Sequence, residues 1–316
     1  IVVTAPITNI STNRATSGGT ITNLGGAAST ALGVCWSTSS GPTLADNHTS
    51  NTVGGLTFTS TLTGLTPGTT YYVRAYASNR LGTSYGEEVT FTTIPVYSLT
   101  LLVSPLQAGT VYGSGSYAEG STVSINANPN PNYVFVNWTN ANGEVVSSTP
   151  AFSYTTTAQN TTLTANFNRL YTLTLTINPA NSGTVTGNGS FLSGTEVPIT
   201  ATPNTGFVFV NWTNTNGDIV STNANFTYTT VAANTTLRAN FNPLYTLNLN
   251  VNPANSGTST GAGDFVAGTQ VPLTATPNTG FVFVNWTNAS GAVISTNANF
   301  TYTTTAANTT LTANFN

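Results

Sequence analysis

The chain has 316 residues, long enough for two to four domains, but only 4% of them are charged where about 25% is usual. The net charge is −3 and all five basic residues are arginine, so no basic patch exists for nucleic acid and no lysine exists for an isopeptide crosslink. One cysteine and one histidine leave neither an internal disulfide nor a zinc or copper site to be expected, and no apolar run approaches the ~18 residues of a membrane-spanning helix.

The chain opens at Ile1 without a methionine or a signal peptide, which reads as a mature secreted product or a piece of a longer one. Thr and Asn fill the positions between aromatic and β-branched residues, the pattern of exposed strand surfaces rather than of disordered Ser/Gly tracts.

Residues 1–94 form a separate unit. Strand-like runs alternate with turn signals at Gly18-Gly19, Gly25-Gly26, Gly41-Pro42, Gly54-Gly55, Pro67-Gly68 and Gly82, which predicts an all-β sandwich. Gly33-Val34-Cys35-Trp36 reads as a strand with a buried, apolar Cys35, and Asp46-Asn47-His48-Thr49 as a solvated loop.

The segment from Leu65-Thr66-Pro67 through Tyr71-Tyr72-Val73-Arg74-Ala75-Tyr76-Ala77 resembles the corner and following strand of fibronectin type III domains, over residues 4–93, and is closest to the form common in Bacteroidota surface proteins. The resemblance implies that the Tyr71 hydroxyl is tied to nearby backbone. Strand alternation then turns Tyr71, Val73 and Ala75 inward and Tyr72, Arg74 and Tyr76 outward. The early-strand Trp of that family is missing from Thr20-Ile21-Thr22-Asn23, and the only Trp of this unit, Trp36, comes a strand later. The module has no Arg-Gly-Asp tripeptide.

After a stiff linker, Ile94-Pro95-Val96, one unit is repeated three times. The copies span residues 97–168, 171–242 and 245–316, joined by Arg169-Leu170 and Pro243-Leu244. In the second copy, Tyr171 to Ile177 alternates as a strand that Asn178-Pro179 breaks. Gly183, Gly187 and Gly189 punctuate a predicted hairpin. Val197 to Ala201 is a strand, and Gly206 to Thr213 is the most hydrophobic one. Asn216-Gly217 is a hairpin turn, and Phe226-Thr227-Tyr228 and Leu237 to Phe241 are the last strands. No segment has helical periodicity.

Gly-Thr-Val-Thr-Gly-Asn-Gly (183–189), Ala-Thr-Pro-Asn-Thr-Gly-Phe-Val-Phe-Val-Asn-Trp (201–212) and Thr-Thr-Leu-Arg-Ala-Asn-Phe (235–241) make these units similar to divergent relatives of the internalin B-repeat of bacterial surface proteins. That resemblance implies a small, β-rich, β-grasp-like spacer or contact module without enzymatic activity.

The three copies test any site hypothesis internally, because a repeated chemistry needs its residues in each copy. Carboxylates do not repeat: Glu144 aligns with Asp218 but with Ala292, Glu196 with Thr122 and Gln270, Asp264 with Ser116 and Ser190, and Glu119 with Ser193 and Ala267. This argues against calcium staples and against the paired carboxylates of glycosidases. What repeats is Asn-Trp-Thr-Asn, at Trp138, Trp212 and Trp286, preceded by Tyr133/Phe207/Phe281 and Phe135/Phe209/Phe283. A sugar-stacking platform is one reading. A strand apolar on both faces and buried on both is the reading preferred here. Sequons at Asn137, Asn160, Asn211, Asn234, Asn285 and Asn308 follow from a Thr/Asn-rich composition rather than from glycosylation.

These observations assign no catalytic, cofactor-binding or metal-ligating residue. They predict an all-β chain, a fibronectin type III-like sandwich followed by three tandem β-rich repeats in an elongated array. Linkers of two or three residues reach only about 7–11 Å, too short to fold back. The expected role is a non-enzymatic stalk or fibre segment of an extracellular bacterial adhesin or appendage, exported by a type IX-type route. The expected partners are neighbouring copies or further repeats of the same surface protein and a host or prey cell surface or polysaccharide, with no nucleic acid and no membrane insertion. The alternative is a carbohydrate-binding accessory region of a secreted polysaccharide-degrading enzyme.

Overall fold

A computed structural model describes residues 1–316. The chain is all-β, with 32 strands and no helix, and therefore no helix long and apolar enough to cross a membrane. It divides into two compact units, Ile1–Asn168 and Arg169–Asn316.

At the N-terminus two sheets enclose one core. The smaller holds Val2–Thr4, Arg14–Ile21 and Thr57–Thr63 in that order. The larger runs Asn47–His48, Ala31–Ser37, Thr70–Asn79, Gly82–Tyr85, and Val89–Thr92 also pairs with Thr70–Asn79. Val34, Trp36, Leu62, Val73 and Ala75 fill the space between them. Tyr71 is buried and its hydroxyl accepts the Thr66 backbone N–H at 3.0 Å, the corner tie expected of it.

Three expectations fail in this module. Asn47–His48, read as part of a solvated loop, is a short exposed strand paired with Cys35 and Trp36. Gly18-Gly19 is not a turn but lies inside the strand Arg14–Ile21. The strand needs glycine for closeness: a Cβ on Gly19 would stand 2.7 Å from the Ala75 Cβ and 2.8 Å from the Phe58 ring. Tyr76 is on the outer face of its sheet yet is 1% exposed. The segment after Ala31–Ser37 returns across that face, so the Tyr76 hydroxyl donates to the Thr49 carbonyl at 2.7 Å and its ring meets His48 edge-on.

Each repeat is built on two sheets, described here for the second copy. The five-stranded sheet has the order Gly189–Phe191, Tyr171–Asn178, Thr235–Pro243, Phe207–Thr213, Ile219–Ser221. Its centre is the first and last strand of the repeat, paired in parallel from Leu173 with Thr235 to Asn178 with Asn240. Parallel neighbours require a crossover, and here the rest of the repeat provides it. That central parallel pair gives the sheet its grasp-like character. The second layer is not a helix but a three-stranded sheet, Gly183–Thr186, Glu196–Pro203 and Asn225–Thr229. Leu173, Leu175 and Leu237 from one sheet meet Val197, Ile199 and Ala201 from the other. The first and third copies repeat both strand orders.

The glycine-rich run does not form a hairpin. Gly183–Thr186 pairs with Glu196–Pro203 in one sheet, while Gly189–Phe191 pairs with Tyr171–Asn178 in the other. Gly187, at φ 116°, makes the crossing between layers, as do Gly113 and Gly261 in the other copies. The linkers are also shorter than expected. Val96 already belongs to Val96–Ser104, Arg169 to Thr161–Arg169 and Pro243 to Thr235–Pro243, so one residue, Leu170 or Leu244, separates the strands of successive repeats.

Gly187 combines a left-handed backbone with a crowded site, since a Cβ there would lie 2.6 Å from Ile199 Cγ2. Gly217 has φ 91° but open space around it. Gly187→Ala is expected to cost about 1–3 kcal/mol through backbone strain plus the clash, and Gly217→Ala less. Thermal unfolding of the two variants checks the order; equal losses would mean that the layer crossing is not a tight constraint.

Candidate functional site

The recurring Asn-Trp-Thr-Asn segment lies on the strand Phe207–Thr213 and its equivalents. In simple alternation Trp212 would share a face with Val208 and Val210, opposite Phe207 and Phe209. The register against Thr235–Pro243 prevents this: Phe209 pairs with Phe241 and Asn211 with Asn240, so Val210 is an extra, bulged residue. The bulge brings Trp212 onto the same side as Phe207 and Phe209.

Trp212 is fully buried, with its ring centroid 6.2 Å from that of Phe209 and 6.2 Å from that of Phe226. Its indole N–H donates to the Ala224 carbonyl at 3.1 Å. Trp138 and Trp286 repeat the arrangement, donating to Pro150 and Ala298. The strand is therefore not buried on both faces. Val208 and Val210 are each 39% exposed on the outer side, and only the aromatic side is core.

That outer side also carries a polar ladder. The Asn240 amide donates to Asn211 Oδ1 at 2.8 Å and to Thr213 Oγ1 at 3.1 Å, and the Asn178 amide donates to Asn240 Oδ1 at 3.1 Å. Asn314 does the same with Asn285 and Thr287, and Asn166 with Asn137 and Thr139. Asn234 Oδ1 accepts the Thr172 backbone N–H at 2.9 Å where the two central strands meet, as Asn160 does for Ser98 and Asn308 for Thr246. The sequon asparagines thus hold strands in register.

The sequence model of the divergent InlB B-repeat domain matches residues 99–170, 173–244 and 247–316. The chain belongs to the divergent InlB B-repeat family. Each of the three matches begins two residues inside the unit as drawn from Tyr97, Tyr171 and Tyr245. No curated protein sequence matches the chain. Among solved structures, the chicken CNTN1 FN1–FN3 domains align over 96% of this chain and 97% of that one, at 10% identity and a TM-score of 0.24, a likeness too slight to bear on the fold.

A second feature of the B-repeats escaped sequence reading because threonine is so common here. Thr156, Thr230 and Thr304 are buried polar residues. The Thr230 hydroxyl donates to the Leu192 carbonyl at 2.6 Å and accepts the Thr195 N–H at 3.0 Å. It thereby fastens the end of Asn225–Thr229 to the turn before Glu196–Pro203. Thr156 and Thr304 make the same bonds. Only their fixed place after Tyr154, Tyr228 and Tyr302 sets them apart from dozens of surface threonines.

The titratable residues serve turns and edges. Glu144 and Asp218 accept from the amides of Asn140 and Asn214, at 2.7 and 2.9 Å, within the hairpin that ends the aromatic strand. Asp264 accepts the Thr246 hydroxyl at 2.7 Å, and Asp46 the Thr43 N–H at 2.9 Å. No three His, Cys, Asp or Glu side chains cluster. Cys35 is buried; desolvation pushes its thiol up to about 11, against the opposing pull of Arg74. It therefore remains a thiol at neutral pH, facing the carbonyls of Pro42 and Arg74 at 3.3 and 3.4 Å. His48 is exposed.

A Trp closed on all sides by its own repeat offers no ring face to a ligand. Trp212→Ala should cost about 3–5 kcal/mol in the stability of the second B-repeat, as for other emptied aromatic core sites. Denaturant unfolding measures this loss, and a cost below about 1 kcal/mol would be the value of a surface residue.

Proposed function

We propose that the chain is a non-enzymatic structural segment of an extracellular bacterial surface protein, an adhesin stalk or appendage fibre, whose B-repeats give length and repeated weak contacts. The observation that carries this reading is the burial of Trp138, Trp212 and Trp286 in three copies of one core. The element most strictly repeated is thus used for packing, and the polar groups that repeat with it bond to each other. Repetition of a closed unit multiplies distance or contact, whereas catalysis needs one constellation assembled once.

The N-terminal sandwich is read as a fibronectin type III-like module at residues 1–94, of the kind found in Bacteroidota surface proteins, followed by B-repeats at 97–168, 171–242 and 245–316. Its support is the Tyr71 corner bond and the pairing of a three-stranded sheet with a larger one. An extracellular location and export by a type IX-type route belong to the same proposal. The carbohydrate-binding alternative loses its natural platform with the Trp side chains enclosed.

The test is solution scattering on the monomeric chain. Four modules in line would extend roughly 120–150 Å with a radius of gyration near ~40 Å, against about 20 Å for one compact body of this length. A value near ~40 Å is expected; one below about 25 Å would remove the physical basis of the stalk.

A further inference from the structure

Asparagine followed by glycine occurs three times in the chain, at Asn142-Gly143, Asn188-Gly189 and Asn216-Gly217. The pair has a chemistry of its own. A glycine has no side chain to shield its nitrogen, so that nitrogen can approach the side-chain carbonyl of the residue before it. The three pairs lie in the first two B-repeats, in two different settings. The third repeat has neither, with Ala262-Gly263 and Ser290-Gly291 in their places.

Asn142 and Asn216 sit at the tip of the hairpin that ends the aromatic strand. In the second copy the Gly217 N–H donates to the Asn214 carbonyl at 3.1 Å, and the Asn214 N–H donates to the Asp218 carbonyl at 3.0 Å. The Asn214 side chain fastens the turn, because its Oδ1 accepts the N–H groups of Asn216 and Asp218, each at 2.9 Å. The Asn216 side chain is exposed and takes no part in this. Asn142 repeats the arrangement around Asn140. Past the tip, only the three-residue edge strands Val145–Ser147 and Ile219–Ser221 hold the hairpin to its sheet. Exposed loop tips beside short edge strands open locally at small cost. A brief opening frees the Gly217 nitrogen from Asn214 and lets the Asn216 side chain swing onto it.

Asn188 is held. Its Oδ1 accepts the Leu175 N–H at 2.6 Å, and Gly189 is paired with Leu173 in the five-stranded sheet. Reaction there requires Gly189–Phe191 to leave the sheet.

We propose that Asn142 and Asn216 are sites of intramolecular deamidation. The glycine nitrogen gives up its proton and bonds to the asparagine Cγ. The bond from Cγ to the amide nitrogen breaks, and ammonia leaves with the proton. Water then opens the five-membered imide at one of its two carbonyls, leaving an aspartate or an isoaspartate. Each event replaces a neutral amide with a carboxylate that is ionised at neutral pH. Two events take the net charge from −3 to −5, one unit for each site. The isoaspartyl product also adds a backbone carbon to the turn. The change is irreversible, needs only water and falls on the first two repeats alone. It depends on the hairpin and not on what the chain is part of.

Ageing of the full chain at neutral and mildly alkaline pH, followed by isoelectric focusing and peptide mass spectrometry, tests it. Two successive acidic forms should accumulate, faster at the higher pH because the attacking nitrogen must lose its proton. Asn142 and Asn216 should react about tenfold or more faster than Asn188. In denaturant all three should react alike, because only the fold holds Asn188. Ser290→Asn places the same pair in a hairpin of the same form, where the Gly291 N–H donates to the Asn288 carbonyl at 2.9 Å, and should add a third acidic form. Asn142→Ser combined with Asn216→Ser, the residue of the third copy, should abolish the first two. A chain that keeps its charge, an Asn188 that reacts as fast as Asn216 in the folded chain, a difference between them that survives denaturant, or acidic forms that persist in the double variant would overturn the proposal.

Discussion

One extra residue in one strand governs each B-repeat. Val210 is accommodated as a bulge between Phe209 and Asn211, and that step turns Trp212 from the solvent face to the core. Without it, Trp212 would lie beside Val208 and Val210 on the outer face, and Asn211 would be driven into the aromatic core opposite Phe241. With it, Phe209, Trp212, Phe226 and Phe241 form one aromatic cluster, and Asn211 reaches Asn240 on the outer side. A bulge thus settles both faces of the sheet at once, the packed one and the hydrogen-bonded one.

The parallel pairing of first and last strands gives this arrangement its closure. Because Tyr171–Asn178 and Thr235–Pro243 lie side by side, the chain enters and leaves each repeat at the middle of its larger sheet. Every contact of the core is then made within one copy, as the four separate hydrophobic clusters show. Such a unit can be copied without redesign. Substitutions confined to its turns and edges, such as Glu144, Asp218 and Ala292, leave the core untouched.

Much of this was legible in the residues. Near-identical copies and strand-period patterning disclosed the all-β class and the tandem repeats. The burial of Trp212 was anticipated for a partly mistaken reason: the strand is apolar on both faces, but only one is enclosed. A bulge is a property of two strands far apart in sequence, so no local pattern announces it. The same holds for Gly187, whose neighbours suggested a hairpin although the flanking strands belong to different sheets. Tyr76 was misplaced because a distant segment covers it, and Thr230 was overlooked because its burial depends on the turn it fastens. Local signals specified the elements; the errors lie where non-local contacts decide the face, the partner or the cover.

The central claim is that the repeated tryptophans are structural and enclosed. Intrinsic fluorescence of the native chain addresses it directly, because all four tryptophans are buried, Trp36 included. The account predicts blue-shifted emission that resists acrylamide quenching and is unaffected by added oligosaccharides. Red-shifted emission, readily quenched and protected by a sugar polymer, would contradict it and return the Asn-Trp-Thr-Asn segments to the surface as a binding platform.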